Sequence, residues 1–101
     1  MIHPPCLGYK VIFSDEAKRD LKKLENRTIS KIFEKAKDLV SANSHNLNIK
    51  KLKTKVPLYR LRAGDYRIVY CIKREKIIVY VVAIGHRKNI YDILDRRLKQ
   101  I

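Results

Sequence analysis

Residues 58–70, Leu58-Tyr59-Arg60-Leu61-Arg62-Ala63-Gly64-Asp65-Tyr66-Arg67-Ile68-Val69-Tyr70, constrain the fold more than any other stretch of the chain. Two alternating runs flank Gly64-Asp65, which predicts a β-hairpin. Side chains in a strand switch faces at every step, so Arg60 and Arg62 share one face. A two-residue loop pairs Ala63 with Tyr66 and Arg62 with Arg67. Three guanidinium groups then crowd one face of one hairpin. Like charges opposite each other destabilise a ladder. A chain that keeps them there is expected to have an anionic partner.

The overall charge points the same way. Lys and Arg number 24 against 10 acidic residues, a formal charge of +14 on 101 residues. Such a field attracts phosphate-rich or acidic partners. The length fits a single domain spanning 1–101, and a 46% hydrophobic fraction is enough to fold it. Cys6 and Cys71 are too few for a secreted disulfide scaffold. Neither has a second Cys or a His at zinc-ligand spacing, so no metal and no cofactor are expected. No apolar run reaches the length of a membrane span, and the N-terminus lacks a signal-peptide core. The expectation is a cytoplasmic protein with reduced thiols.

Along the chain, Pro4-Pro5 resist regular structure in a short tail. Residues 8–13 read as a strand. Ser14 is suited to cap a helix whose first turn carries Asp15 and Glu16. Ala17, Leu21 and Leu24 form its apolar face. A second helix over 27–42 carries the stripe Ile29, Ile32, Phe33, Ala36, Leu39 and Val40. Residues 43–57 read as a partly docked loop with a Lys-rich run. After the hairpin, residues 76–84 are apolar at nearly every position, which predicts a central strand covered on both faces. Residues 85–89 read as a polar turn. Ile90, Ile93, Leu94 and Ile101 predict a last helix. The expected fold is α+β. An N-terminal strand and helical hairpin pack on one face of a small, mainly antiparallel four-stranded sheet, a C-terminal helix follows, and the other face stays open for the arginines.

Residues 59–70, together with Ala83-Ile84-Gly85-His86-Arg87-Lys88-Asn89-Ile90-Tyr91, resemble the RelE branch of the RelE/ParE toxin superfamily. The likeness runs from about residue 8 to 94 in motif and element order. It implies the toxin of a type II toxin–antitoxin system. RelE-type members cut messenger RNA in the ribosomal decoding site without a metal. The ribose 2′-hydroxyl attacks the adjacent phosphate, leaving a 2′,3′-cyclic phosphate and a 5′-hydroxyl. The resemblance also implies an acidic, RelB-like antitoxin that binds a monomeric toxin in a hetero-oligomer, with the ribosome and messenger RNA as further partners. Carried over by motif, Arg60 and Arg62 take the basic positions of the first hairpin strand, and Arg67 is the arginine after the turn. Arg87 and Tyr91 follow the glycine of the last strand.

Cleavage needs an aligned 2′-oxygen, a stabilised phosphorane and a protonated 5′-oxygen. Arginine forks suit the second need, because each grips two phosphate oxygens. Arg62, Arg67 and Arg87 are therefore expected to hold the scissile phosphate, and Arg60 to touch it or a neighbour. Some relatives carry lysine where this chain has Arg60 and Arg62. Arginine cannot act as a base at neutral pH. The proton-transfer candidates are His86, Tyr91 and a lysine of the 51–55 run. An imidazole titrates near neutrality, although His86 equally reads as a turn residue bonding the backbone. Tyr91 suits base stacking, 2′-hydroxyl orientation or capping of the core. The lysine run at 50–55, Lys50, Lys51, Lys53 and Lys55, is expected to contact RNA backbone. Two other functions fit the fold: a ParE-like inhibitor of DNA gyrase, and a non-catalytic ribosome- or RNA-binding module.

Overall fold

The computed structural model describes residues 6–99. His3, the Pro4-Pro5 tail and Ile101 of the last apolar stripe lie outside them. The chain runs β1 (Lys10–Phe13), α1 (Asp15–Lys22), α2 (Asn26–Leu39), β2 (Ile49–Lys51), β3 (Tyr59–Ala63), β4 (Tyr66–Lys73), β5 (Ile78–His86) and α3 (Ile90–Leu98). The sheet order is β1-β5-β4-β3-β2. Among the described residues, β1 and β5 run parallel and the other pairs are antiparallel.

The expected α+β class holds, and several local readings have visible causes. Ser14 caps α1: its Oγ accepts from the Ala17 N–H at 3.1 Å, and Asp15 and Glu16 sit in the first turn. The hairpin register is the one the two-residue loop requires, Ala63 opposite Tyr66 and Arg62 opposite Arg67. Gly64 sits at φ +62, a backbone region that suits glycine at such a turn.

Two features differ from the sequence expectation. The sheet has five strands rather than four, because part of the 43–57 loop forms β2. Ile49 is buried opposite Leu61, while Lys50 and Lys51 are exposed. One buried side chain in three residues, with lysines at the other two, leaves almost no period-2 signal. The helices also divide between the two faces. Ala17, Leu21, Ile32 and Leu39 of α1 and α2 pack with Leu61, Ile68, Tyr70, Val79, Val81 and Ile84 on one face. Ile90 and Leu94 of α3 pack with Leu58, Val69 and Ala83 on the other. The arginine face is therefore half roofed by α3.

Gly85 explains how α3 comes so close. It belongs to β5, opposite Arg67, and a Cβ there would meet Ile93 Cδ1 at 2.9 Å and Ile90 Cδ1 at 3.4 Å. Gly85→Ala should therefore force the Ile93 side chain aside, at the low end of the roughly 1–3 kcal/mol that overpacking costs. Thermal unfolding measures it; an unchanged midpoint would mean α3 sits less tightly than this contact implies.

A β-bulge sets the other anchor of α3. Val69 pairs with Ala83 but Tyr70 pairs with Val81, so Val82 is the extra residue of β5. β1 ends at Phe13 opposite Val81, which leaves the next stretch of the β5 edge without a strand. Asp20 and Arg97 fill that gap. Asp20 Oδ2 accepts from the Ile84 N–H at 2.9 Å, and Arg97 Nη1 donates to the Val82 carbonyl at 3.0 Å. The two side chains meet fork to carboxylate at 2.7 and 2.8 Å. One ion pair thereby ties α1, β5 and α3 together.

Candidate functional site

Alternation along β3 and β4 turns Arg60, Arg62 and Arg67 toward the α3 face, because Leu61 and Ile68 are buried on the opposite face. Arg87 joins them from the segment after β5. Its N–H donates to the Asp65 carbonyl at 2.8 Å, which holds the segment against the hairpin tip. Tyr91 stands in the first turn of α3, 49% exposed. Arg67 lies at the centre. Its Nη1 donates to the Gly64 carbonyl at 2.9 Å and to the Tyr66 carbonyl at 3.0 Å. Partial burial, and then the charges of Arg60, Arg62 and Arg87, hold its guanidinium below the ordinary range; Tyr91 acts in the opposite sense. The four arginines and the tyrosine expected from sequence thus act on one locus.

The cations are only lightly countered. Asp65 Oδ1 lies 3.9 Å from Arg87 Nε, with the two side chains 71% and 55% exposed. An exposed pair at that distance contributes little. Arg60 Nη2 donates to Asn48 Oδ1 at 3.0 Å, and its Nε is buried without a partner among the described residues. Preorganised, unneutralised guanidinium groups at one spot can bind a phosphate and stabilise added charge on it.

Other sequence candidates are distributed differently. Lys53 lines a hollow of about 300 Å³ with Thr54, Tyr91, Asp92, Leu94 and Asp95, and none of the four arginines lines it. Lys51 lies opposite Tyr59, so it turns to the α1–α2 face, whereas Lys50 lies opposite Arg60 and shares the arginine face. Lys55 sits in the exposed loop between β2 and β3. The structure does not bring His86 to the cluster. Gly85 faces α3, so His86 faces the other way. Its ring lies edge-on to Tyr66 at 5.5 Å, and its Nδ1 accepts from the Lys88 N–H at 3.2 Å. Those are the contacts of the turn residue that its place in the sequence equally allowed.

Asn48 was missed by the sequence reading, and Lys50 stood in its basic run without being singled out as the lysine on the arginine face. Both owe their place to the pairing of β2 with β3, twelve and ten positions from Arg60, and no local spacing signals that. Among the described residues, no three His, Cys, Asp or Glu side chains converge as a metal site requires. No helix among them is long and apolar enough to cross a membrane.

Comparison with known proteins gives a consistent set of likenesses. The family described as "ParE toxin of type II toxin-antitoxin system, parDE" matches residues 11–91. The chain is 37% identical over 86 residues to "Toxin RelE3" of Methanocaldococcus jannaschii, covering 82% of this chain and 96% of that protein. Among solved structures, the toxin–antitoxin complex RelBE2 of Mycobacterium tuberculosis contains a chain 32% identical to this one. The TM-score is 0.66, covering 78% of this chain and 98% of that one. The RelB–RelE antitoxin–toxin complex of Methanococcus jannaschii gives 26% identity and a TM-score of 0.66, covering 81% and 96%.

Proposed function

Since the chain belongs to the RelE/ParE superfamily of type II toxins, we propose that it is an endoribonuclease. In this reading it cuts messenger RNA in the ribosomal decoding site and is held inactive by an acidic antitoxin. The observation that carries the reading is geometric: Arg60, Arg62 and Arg67 share one face of the hairpin and Arg87 is bonded to its tip, so that their charges combine at Arg67. An RNA phosphate is the ligand that relieves such a field.

The chemistry follows from the parts. The 2′-oxygen of the ribose bonds to the adjacent phosphorus, and the bond from phosphorus to the 5′-oxygen breaks. One proton leaves the 2′-oxygen and one reaches the departing 5′-oxygen. The products are a 2′,3′-cyclic phosphate and a 5′-hydroxyl. Arg62, Arg67 and Arg87 grip the non-bridging oxygens and stabilise the charge that builds on them in the phosphorane. Arg60 and Lys50 neutralise neighbouring phosphates. Lys51 and Lys55 belong to the wider basic surface that meets ribosomal RNA backbone. Tyr91, which shares the field at Arg67, is assigned a proton transfer, and Lys53 is the lysine that lines a hollow with Tyr91. Binding on the ribosome supplies the in-line geometry that arginines alone do not impose.

The proposed antitoxin follows from two considerations. Similar solved proteins are RelE toxins in complex with RelB antitoxins. The formal charge of +14 also favours an acidic partner. Primer extension on a translated message tests the activity: induced chain should yield discrete cuts within codons, and none without ribosomes. The family description names a ParE toxin, which favours gyrase inhibition as the second reading. Loss of supercoiling with intact messages would establish it in place of the first. His86→Gln should cut at the wild-type rate, because the imidazole faces Tyr66 rather than the arginines. A slowed His86→Gln enzyme that still unfolds at the wild-type temperature would return His86 to the proton-transfer step.

A further inference from the structure

The arginines of this protein are held in two different ways. Arg97 is held by a carboxylate, Asp20, whose side chain is only 6% exposed, so its charge is matched. In the candidate site the close acceptors are neutral. Arg67 is held by two backbone carbonyls, and Arg60 by the amide oxygen of Asn48. A neutral oxygen fixes a guanidinium in space and leaves its charge free to act elsewhere.

We propose that Asn48 is a positioning residue for RNA binding and cutting: it aims Arg60 without discharging it. The inference rests on reading the arginine face as a phosphate site. Asn48 is well placed for the task, because its backbone carbonyl accepts the Arg62 N–H at 3.0 Å while its side chain takes Arg60 Nη2 at 3.0 Å. The residue that aims Arg60 is thus locked to the strand that carries Arg60 and Arg62. The aim matters, because Arg60 Nε is buried without an acceptor among the described residues and Asn48 takes one N–H of Nη2. Nη1 and the second N–H of Nη2 are left to meet an incoming phosphate.

The test uses Asn48→Ala, Asn48→Asp, Arg60→Ala and the double variant Asn48→Ala/Arg60→Ala in the full chain. Three quantities are measured: cutting of a translated message on ribosomes, salt-dependent binding of a short single-stranded RNA, and the unfolding midpoint. The carbonyl bond to Arg62 is main-chain, so Asn48→Ala should keep its midpoint. Its cutting should slow by on the order of ten- to a hundredfold, the scale of a misplaced group. The double variant should be no slower than Arg60→Ala. Asn48→Asp should hold Arg60 yet match its charge, lowering the slope of binding against salt by about one phosphate contact. A wild-type rate for Asn48→Ala beside a slowed Arg60→Ala would overturn the proposal. Additive losses in the double variant, or an unchanged salt slope for Asn48→Asp, would do the same. If Arg60→Ala cuts normally while Arg67→Ala does not, the Asn48 inference fails and the phosphate site stands. If both cut normally, the phosphate reading itself has failed.

Discussion

Arg67→Ala should cut translated messenger RNA about a hundred- to a thousandfold more slowly than the wild-type chain, or roughly 3–4 kcal/mol of lost transition-state stabilisation. Arg67 is the centre of the arginine cluster, and two carbonyls hold its fork. Arg67→Lys should recover little, since an ammonium cannot keep both carbonyls and still span two phosphate oxygens. The unfolding midpoint should not fall in step with activity. A base whose folded pKa is depressed holds its proton less well folded than unfolded. At neutral pH the Arg67 charge therefore costs stability, and removing it removes that cost. Arg67→Ala should be slowed to that extent and lie close to the parent in stability, because relief of the crowded charge offsets the loss of its two carbonyl bonds. If primer extension shows undiminished cutting by Arg67→Ala, the proposed nuclease mechanism is wrong. A large fall in midpoint would instead assign Arg67 a structural role.

Asp20→Asn should have the largest effect on stability, about 3–5 kcal/mol, because it strands the Arg97 guanidinium at a packed edge. For a chain of this size that corresponds to a fall in Tm on the order of 15 °C or more. Arg97 is only 26% exposed, and its pKa is raised chiefly by its hydrogen bonds to Asp20. Buried ion pairs elsewhere are often replaceable by two apolar side chains. Here Asp20→Leu with Arg97→Met should still be destabilised, because the Ile84 N–H and the Val82 carbonyl would lose their partners. Activity at permissive temperature should also drop, since Arg97 fixes α3 and α3 carries Tyr91. A Tm for Asp20→Asn within a few degrees of the parent would show that solvent replaces the pair.

The two sites differ in how well they could be read beforehand. The hairpin was legible because its information is local. Period-2 alternation and a Gly-Asp turn set the register, and the register placed Arg62 against Arg67. The Ser14 cap was legible for the same reason. Asp20 and Arg97 were not, because each looks like one more charge on a helix and they are 77 positions apart. β2 was obscured by lysines, and Asn48 came with it. His86 follows the motif in sequence but not in space, since one step beyond Gly85 reverses the face.

By itself, the sequence determined the α+β class, the hairpin register and the gathering of arginines near its turn, all of which depend on contacts between near neighbours in the chain. Only the tertiary structure decided which face α3 covers, which lysine joins the arginines, and which guanidinium groups are left without a matching carboxylate. Those outcomes depend on what lies across the sheet. An arginine beside a carboxylate becomes a strut, whereas one beside a carbonyl or an amide remains a cation free to bind.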